Sequence, residues 1–198
     1  FFTAGYQNDT PHEAVGKWLQ DKGFKRVVTL VPNFVSGRDA VAGMKRYYKG
    51  TVVDEIFTKV NQLDYAAEIG QIRAANPDAV FIFLPGAMGV NFVKQFQASG
   101  LLGKVALTGF GFNFEDDIIN ATGDATVGAY NALQWSRDLD NPANKTFIAE
   151  FEREYKRPPT AYAAMAYDAA NLIDSAVREV KGKIEDKAAL RRAIRAAN

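Results

Sequence analysis

Few side chains of this chain could carry out covalent chemistry. His12 is the only histidine, and cysteine is absent. A nucleophile would therefore need a base built from acids or lysines, and the sequence contains no motif of that kind. His12 follows a proline in the first turn of a predicted helix, where we expect an exposed polar residue without a functional role. The sequence thus predicts no catalytic residue.

An acidic cluster, Glu115-Asp116-Asp117, is the next candidate, either as a metal site or as a general acid. Three acids that open a helix are also expected because they complement the positive end of the helix dipole. Hard cations need several oxygen ligands around them, and no loop of this sequence contains such a set of residues. We therefore predict no bound metal.

Glycines cluster in two further segments, Pro85-Gly86-Ala87-Met88-Gly89 and Gly109-Phe110-Gly111-Phe112. Neither segment has the Lys-Ser/Thr ending of a P-loop or the three-glycine spacing of a dinucleotide site, so we predict no nucleotide cofactor. The small residues can let main-chain N–H groups at helix starts approach an anion such as a carboxylate. They can equally serve tight turns alone. Gly86 is therefore a candidate ligand contact.

Aromatic residues provide a more specific hypothesis about ligand contacts than the glycines do. Phe34, Phe110 and Phe112 are predicted to lie in loops at strand ends, where a ring either contacts a ligand or belongs to the core. Ser36 and Asn33 could add polar contacts, although Asn33 is more typical of a helix cap. These loops are rich in Gly and Phe and poor in acids, bases and nucleophiles. Their composition favours binding over catalysis.

The elements that position these loops repeat one pattern. An apolar β-branched or aromatic run ends in Pro, Gly or Asn and passes into a helical pattern in residues 26–48, 51–75, 78–100 and 104–123. The run AVFIFLPG at residues 79–86 is nearly continuous apolar sequence, as a strand covered on both faces requires. Such strands are parallel, and right-handed crossovers place their strand-to-helix loops along one edge of the sheet. The predicted fold is α/β, with a mainly parallel sheet and helices on both faces.

Finer details follow from local signals. Thr10 is expected to cap the first helix, with Glu13 completing a capping box. The helix after the first strand is expected to bury Tyr47, and residues 127–135 to form the last strand. Residues 141–155, 162–180 and 186–197 then read as helices without strands. Helices with no sheet of their own belong to another layer or lobe, so we predict an α/β lobe at residues 1–135 and a helical segment at 136–198.

Composition excludes several classes of function. The net charge of +1 gives no electrostatic argument for nucleic acid binding. No apolar stretch approaches the roughly 20 residues that span a bilayer, so membrane insertion is not expected. A chain without cysteine suits an oxidising compartment. Because the sequence begins at Phe1 without a leader, we expect either a processed protein or an excerpt of a longer one.

Four segments in order carry a resemblance to a known family. They are FFTAGYQND...HEAVGKWL from residue 1, KRVVTLVPNFVSGRDAVAGMKRYY from residue 25, DYAAEIGQIRAANPDAVFIFLPGAMGVNFVKQFQASGL from residue 64, and DNPANKTFIAEFEREYKRPPTAYAAMAYDAA from residue 140. The most specific piece is A-E-I-x-x-I-R-A-A-x-P-D-A-V at residues 67–80. Along essentially its whole length, the chain resembles the type I periplasmic solute-binding proteins of branched-chain amino acid ABC transporters, the extracellular ligand-binding receptor family.

That resemblance implies a clamp of two α/β lobes joined by hinge strands. Solute binds between the lobes, without chemistry, and the closed form is presented to a membrane permease. Family members are considerably longer, and this sequence resembles their second half. Residues 1–135 would be most of the second lobe, and residues 136–198 would pack on the first lobe, whose strands are absent here. The implied location is the periplasm, or an extracytoplasmic position with a lipid anchor.

The resemblance also adds site residues. Tyr167 and Phe112 match positions of ligand contacts in the family. Amino-acid binders place a carboxylate after the fourth strand to hold the substrate ammonium, and Gly111 matches that position. A buried ammonium without an anion would cost a few kcal/mol. We therefore expect an aromatic or otherwise apolar carboxylate rather than a branched-chain amino acid, unless a shifted alignment brings Glu115 or Asp116 to the ammonium. The candidate ligand contacts are Phe34, Ser36, Gly86, Gly111, Phe112 and Tyr167.

Two other functions remain open from the sequence. A ligand-sensing domain of a receptor or regulator can use the same fold. A small α/β enzyme is the third alternative, and it is disfavoured by the missing catalytic groups.

Overall fold

The computed structural model describes residues 2–197, without the side chain of Asp117. These residues form two compact units. The sheet unit comprises residues 7–133, and the helical unit comprises residues 2–6 together with 134–197. The first few residues therefore group with the C-terminal helices, whereas the sequence analysis assigned them to the α/β lobe. The role of the helical unit as a cover for a first lobe stays a prediction.

Five parallel strands build the sheet unit in the order β2-β1-β3-β4-β5. Their bounds are β1 Arg26–Pro32, β2 Thr51–Thr58, β3 Ala79–Ile82, β4 Ala106–Phe110 and β5 Tyr130–Ala132. The prediction of a parallel sheet is confirmed by the pairing of β1 with β2 and β3, of β3 with β4, and of β4 with β5. Only three residues of the predicted 127–135 strand are in the ladder, because a turn occupies its first part.

Helices cover both faces of this sheet. Their bounds are α1 Thr10–Asp21, α2 Val35–Tyr47, α3 Ala66–Ala75, α4 Ala87–Ala98 and α5 Asp116–Thr122, with 3₁₀ turns at Gly111–Asn113 and Gly123–Thr126. Helices α1 and α2 pack together on one face, and α3, α4 and α5 cover the other. The α1–α2 contact depends on Gly16 and Gly43, because a Cβ atom at either would lie about 2 Å from a backbone oxygen of the neighbouring segment.

Two local predictions are wrong on this face. Asp9 is the N-cap of α1 and makes no side-chain cap hydrogen bond, so the predicted Thr10 capping box does not form. Glu13 instead pairs with Arg46 of α2, which also binds Asp9. Tyr47 is exposed, and the neighbouring Tyr48 takes the buried position. For Glu13, the contact between α1 and α2 overrides the local signal.

Three helices form most of the helical unit: α6 Pro142–Tyr155, α7 Ala161–Glu179 and α8 Lys187–Ala196. Each has a side-chain N-cap, from Asn141, Thr160 and Asp186 respectively. The buried residues of α7 are Ala161, Ala164 and Ala176. Its large apolar residues Tyr162 and Ile173 are exposed.

His12 lies in the core of the sheet unit, contrary to the expectation of an exposed residue. It is completely buried and makes edge-on contacts with the rings of Phe81, Phe83 and Phe110, at centroid distances of 5.1–5.5 Å. Among the described residues, neither ring nitrogen has a hydrogen-bond partner. Burial lowers the pKa of His12 to about 4, opposed by the nearby carboxylate of Asp9. The imidazole is therefore neutral at physiological pH.

A buried neutral histidine makes folding stability depend on pH with a defined sign. The pKa of His12 is 6.5 in the unfolded chain and about 4 in the folded chain. The unfolded chain therefore takes up a proton at a higher pH than the folded chain does. The contribution of His12 to stability is therefore fully present above pH 6.5 and is lost as the pH falls towards 4. A shift of this size corresponds to a loss on the order of 3 kcal/mol.

The substitution His12→Leu tests this directly. We expect the variant to lose the part of the acid destabilisation that His12 causes, so its advantage over the wild type should grow between pH 7 and pH 4. Urea unfolding followed by circular dichroism at several pH values measures this difference, in which contributions from unchanged carboxylates cancel. Parallel pH profiles for the two proteins would show that His12 is not buried as a neutral group.

Candidate functional site

The loops that follow β1, β3 and β4 meet at the carboxyl edge of the sheet. The chain leaves β1 towards β2 on one side and returns to β3 on the other, so β1 and β3 flank a topological switch point. Open α/β sheets hold ligands in the crevice at such a point. Five of the six predicted ligand contacts lie along this edge: Phe34, Ser36, Gly86, Gly111 and Phe112. The sixth, Tyr167, belongs to the helical unit.

The loop after β1 leads directly into α2. Phe34 is its N-cap and is 39% exposed, and Ser36 lies in the first turn with its carbonyl accepting a hydrogen bond from the Asn8 side chain at 2.9 Å. Asn33 does not cap this helix, contrary to prediction. Its side-chain oxygen accepts a hydrogen bond from Arg38 at 2.7 Å. The Arg38 guanidinium also lies over the Phe57 ring, 5.1 Å from its centroid, so two contacts fix this cation.

The loop after β3 ends in a glycine N-cap. Gly86 has a φ of 63°, a left-handed conformation that favours glycine, and α4 begins at the next residue. Neither Gly86 nor Phe34 has a side chain able to cap a helix, so the first-turn N–H groups of α2 and α4 are not capped by these residues. Both helix starts therefore present N–H groups and the positive end of a dipole to this edge.

Asn113 ties the loops after β3 and β4 together, and sequence reasoning did not identify it. Its buried side chain accepts a hydrogen bond from the Leu84 N–H and donates one to the Leu84 carbonyl. The amide side chain thus satisfies both polar groups of one backbone residue, as a neighbouring strand would. A buried Asn on a short turn was the available signal, but its partner lies 29 residues away in sequence.

Gly111 lies where the backbone leaves β4, with no room for a side chain. A Cβ atom at this position would lie 2.6 Å from the Leu133 Cβ and 2.9 Å from both its terminal carbons. Leu133 follows β5 and therefore closes this part of the edge. The resemblance to amino-acid binders matched Gly111 to the position of an ammonium-binding carboxylate, and in this packing Leu133 occupies the space into which a side chain there would project.

Phe112 forms the aromatic part of the edge. Its ring packs edge-on against Phe110 at 4.5 Å and remains 9% exposed. Phe110 is the last residue of β4 and fully buried, so its predicted loop position is wrong. Through Phe110, the Phe112 ring continues the buried cluster around His12. This aromatic column is closely packed and contains no charged group at neutral pH.

Tyr167 lies in α7 of the helical unit, where it is 38% exposed and packs against Phe147 at 4.7 Å. It borders a cavity of about 250 Å³ within that unit. A larger groove of about 690 Å³ between α7 and α8 has no aromatic residue in its wall and contains the charged residues Glu179, Lys183 and Arg192.

The acidic cluster lies at the start of α5. Glu115 is the N-cap of α5 and Asp116 is its first residue, whereas the Asp117 side chain lies outside the described part of the chain. Among residues 2–197, no group of three or more acidic, histidine or cysteine side chains is placed to hold a metal ion. Over the same residues, no helix is both long and apolar enough to cross a bilayer.

Comparison with known proteins agrees with this architecture. A solute-binding protein of an ABC transporter from R. palustris, solved with benzoate, is 31% identical and superposes with a TM-score of 0.92 over 99% of this chain and 54% of that one. A solute-binding protein from Rhodopseudomonas palustris BisB5, solved with 3,4-dihydroxybenzoic acid, is 30% identical, with a TM-score of 0.84 over 96% and 53% of the two chains.

A leucine-binding protein from Thermotoga maritima shares the fold at 19% identity, with a TM-score of 0.79 over 97% of this chain and 55% of that one. The chain spans about half the length of these structures. No match was found among curated protein sequences. The family model described as periplasmic binding protein matches residues 1–198. The resemblance inferred from the sequence is thus confirmed, and the chain belongs to the periplasmic binding protein family.

Proposed function

We propose that this chain supplies one lobe of the solute-binding component of an ABC importer, and that the carboxyl edge of its sheet receives an aromatic carboxylate. Membership of the periplasmic binding protein family supports the solute-binding role. The more similar of the relatives described above are solute-binding proteins of ABC transporters. The partner is then a membrane permease. The protein lies either in the periplasm or outside the cytoplasm on a lipid anchor.

The packing of Gly111 carries the choice of ligand. A zwitterionic amino acid brings a buried ammonium, which needs an anion beside it. Because Leu133 fills the space where a side chain at residue 111 would project, that anion is not available from this position. An aromatic acid has no ammonium to satisfy. Two relatives of at least 30% identity were solved with benzoate and with 3,4-dihydroxybenzoic acid, which supports the same choice.

Main-chain N–H groups could bind the carboxylate of such a ligand. The starts of α2 and α4 flank the switch point, and neither helix has a capping side chain at its N-cap. Aligned N–H groups and helix dipoles favour an anion at such a place. The Phe112 ring, supported by Phe110, offers an apolar surface for the aromatic ring of the ligand.

Hinge closure would convert this binding into a signal for the permease. A ligand shifts a conformational equilibrium only by as much as it prefers one state over the other. A solute that contacts both lobes of the clamp in the closed state, and one lobe in the open state, supplies that difference. The protein then captures and releases its solute without changing it chemically.

Isothermal titration calorimetry of the full-length protein tests the proposed ligand class. We expect benzoate to bind at least tenfold more tightly than leucine or valine. Benzamide, which has the same ring without the negative charge, is the matched control and should bind much more weakly than benzoate because helix starts favour anions. Tight binding of leucine without a response to benzoate would overturn the proposal.

The packing argument for Gly111 has its own test. Gly111→Ala places a methyl group against Leu133, so we expect the free energy of unfolding to fall by about 1–3 kcal/mol and benzoate affinity to drop. Gly70→Ala is the control, because a Cβ atom at this exposed position of α3 meets no atom within 4 Å. That variant should gain about 0.5–1 kcal/mol and keep its affinity. Urea unfolding and calorimetry give both quantities, and equal effects would contradict the packing at Gly111.

A further inference from the structure

Asn113 lies beside β3 at a point where the strand ladder has already ended. The β3–β4 ladder ends with Ile82 paired to Gly109, so the buried Leu84 is not paired with a strand on this side. A buried N–H or C=O group without a partner costs free energy. The Asn113 side chain, which is 1% exposed, accepts a hydrogen bond from the Leu84 N–H at 3.3 Å and donates one to the Leu84 carbonyl. One amide group therefore takes the place of a neighbouring strand.

Helix α4 packs against the same pair of groups. A Cβ atom on Gly89, in the first turn of α4, would lie 2.5 Å from the Leu84 carbonyl oxygen and 2.9 Å from the Asn113 side-chain nitrogen. Such a close approach requires a residue without a side chain. The Asn113 amide is therefore in contact with both the loop after β3 and the start of α4.

Asn113 is also joined through the backbone to Phe112, the proposed ring contact. The two residues belong to the 3₁₀ turn Gly111–Asn113, which is closed by a hydrogen bond of 2.7 Å from the Phe114 N–H to the Gly111 carbonyl. The turn continues directly from β4 at one end, and its other end is bonded to Leu84. The backbone of Phe112 is therefore held on both sides, and its distance from the loop after β3 depends on Asn113.

We propose that Asn113 is a positioning residue for the aromatic acid. It sets the separation between the Phe112 ring and the loop after β3, which leads through Leu84 to Gly86 at the start of α4. Because the ring and the carboxylate of benzoate are rigidly joined, the ligand can use both contacts only at a matching separation. The inference rests on the proposed function and deepens it, since it names a residue that arranges two of the proposed contacts without binding the ligand itself.

The substitution Asn113→Asp removes the donor and keeps the shape of the side chain. The introduced carboxylate can accept from the Leu84 N–H but opposes the Leu84 carbonyl, whereas its protonated form can donate to that carbonyl again. In calorimetry of the full-length protein, we expect benzoate binding to weaken roughly tenfold at pH 7.5. Binding should recover largely at pH 5.5, because burial raises the pKa of the introduced carboxyl group. Wild-type affinity should change little over this range, in which benzoate stays ionised.

Gln95→Glu is the matched control. The Gln95 side chain accepts a hydrogen bond from the Tyr65 N–H and donates one to the Leu63 carbonyl, both at 2.8 Å, so it binds the backbone in the same manner. It joins α4 to the segment before α3, which contains none of the proposed ligand contacts. We expect this variant to be less stable in urea unfolding but to bind benzoate with wild-type affinity at both pH values.

A double-mutant cycle with Phe112→Leu separates positioning from a general loss of stability. If Asn113 acts through the Phe112 ring, Asn113→Asp should weaken benzoate binding by no more than about threefold once that ring is absent. A purely structural effect would be the same in both backgrounds.

The outcomes distinguish this inference from the proposed function. If the wild type binds benzoate but Asn113→Asp binds it as tightly, or loses equally with and without the Phe112 ring, the inference is wrong and the proposed function stands. If the wild type binds no aromatic acid, both are wrong. Should Asn113→Asp not fold, hydrogen exchange of the wild type decides. Benzoate should then slow exchange of the Leu84 N–H more than that of the Tyr65 N–H, and equal slowing would contradict the inference.

Discussion

The position of β3 between β1 and β4 is the constraint on which the proposed site depends. Every residue of this strand is buried, and it is hydrogen-bonded in parallel to a strand on each side. Parallel strands need a crossover between one and the next, so the loops that follow β1, β3 and β4 must emerge at the same edge. The side chain of Asn113 then joins the loops after β3 and β4 through Leu84. The edge is therefore built by the same pairing that forms the core.

The polarity of this edge follows from what lies beneath it. His12 and three phenylalanines pack under the carboxyl end of β4, where burial keeps the imidazole neutral. A catalytic site would need titratable groups with reachable protons, and this column excludes water from the one histidine it contains. Main-chain N–H groups at the starts of α2 and α4 are among the polar elements of the edge. An edge of this composition suits recognition of an anion attached to an apolar body.

The sequence predicted the sheet well because its signal is local. The apolar run at residues 79–86 and the proline, glycine and asparagine stops specify a buried parallel strand by themselves. The sequence prediction failed where a residue distant in the chain determines the environment of a side chain. His12 is buried because α1 packs over β4, about a hundred residues away, and Asn113 matters because of Leu84. Tyr47 and Tyr48 are adjacent in sequence at the end of α2, and the helical pattern of apolar residues does not distinguish well which of the two is buried. The sequence identified Gly111 as a departure from the amino-acid binders that it resembles, but the close approach of Leu133 to this residue could be seen only in the structure.

The proposed site at the sheet edge would divide recognition of an aromatic acid into two physical tasks. Under this hypothesis, charge would be met in the sheet unit by main-chain N–H groups that cannot titrate, so affinity for a carboxylate should not depend on any basic side chain. Arg38, which lies near this edge, is engaged by Asn33 and Phe57 instead. Shape would be met by the Phe112 ring, which packs against Phe110. Because neither task uses a mobile charged side chain, the proposed specificity would come from pre-organised surfaces, and the entropy lost on binding would fall mainly on the ligand and the hinge.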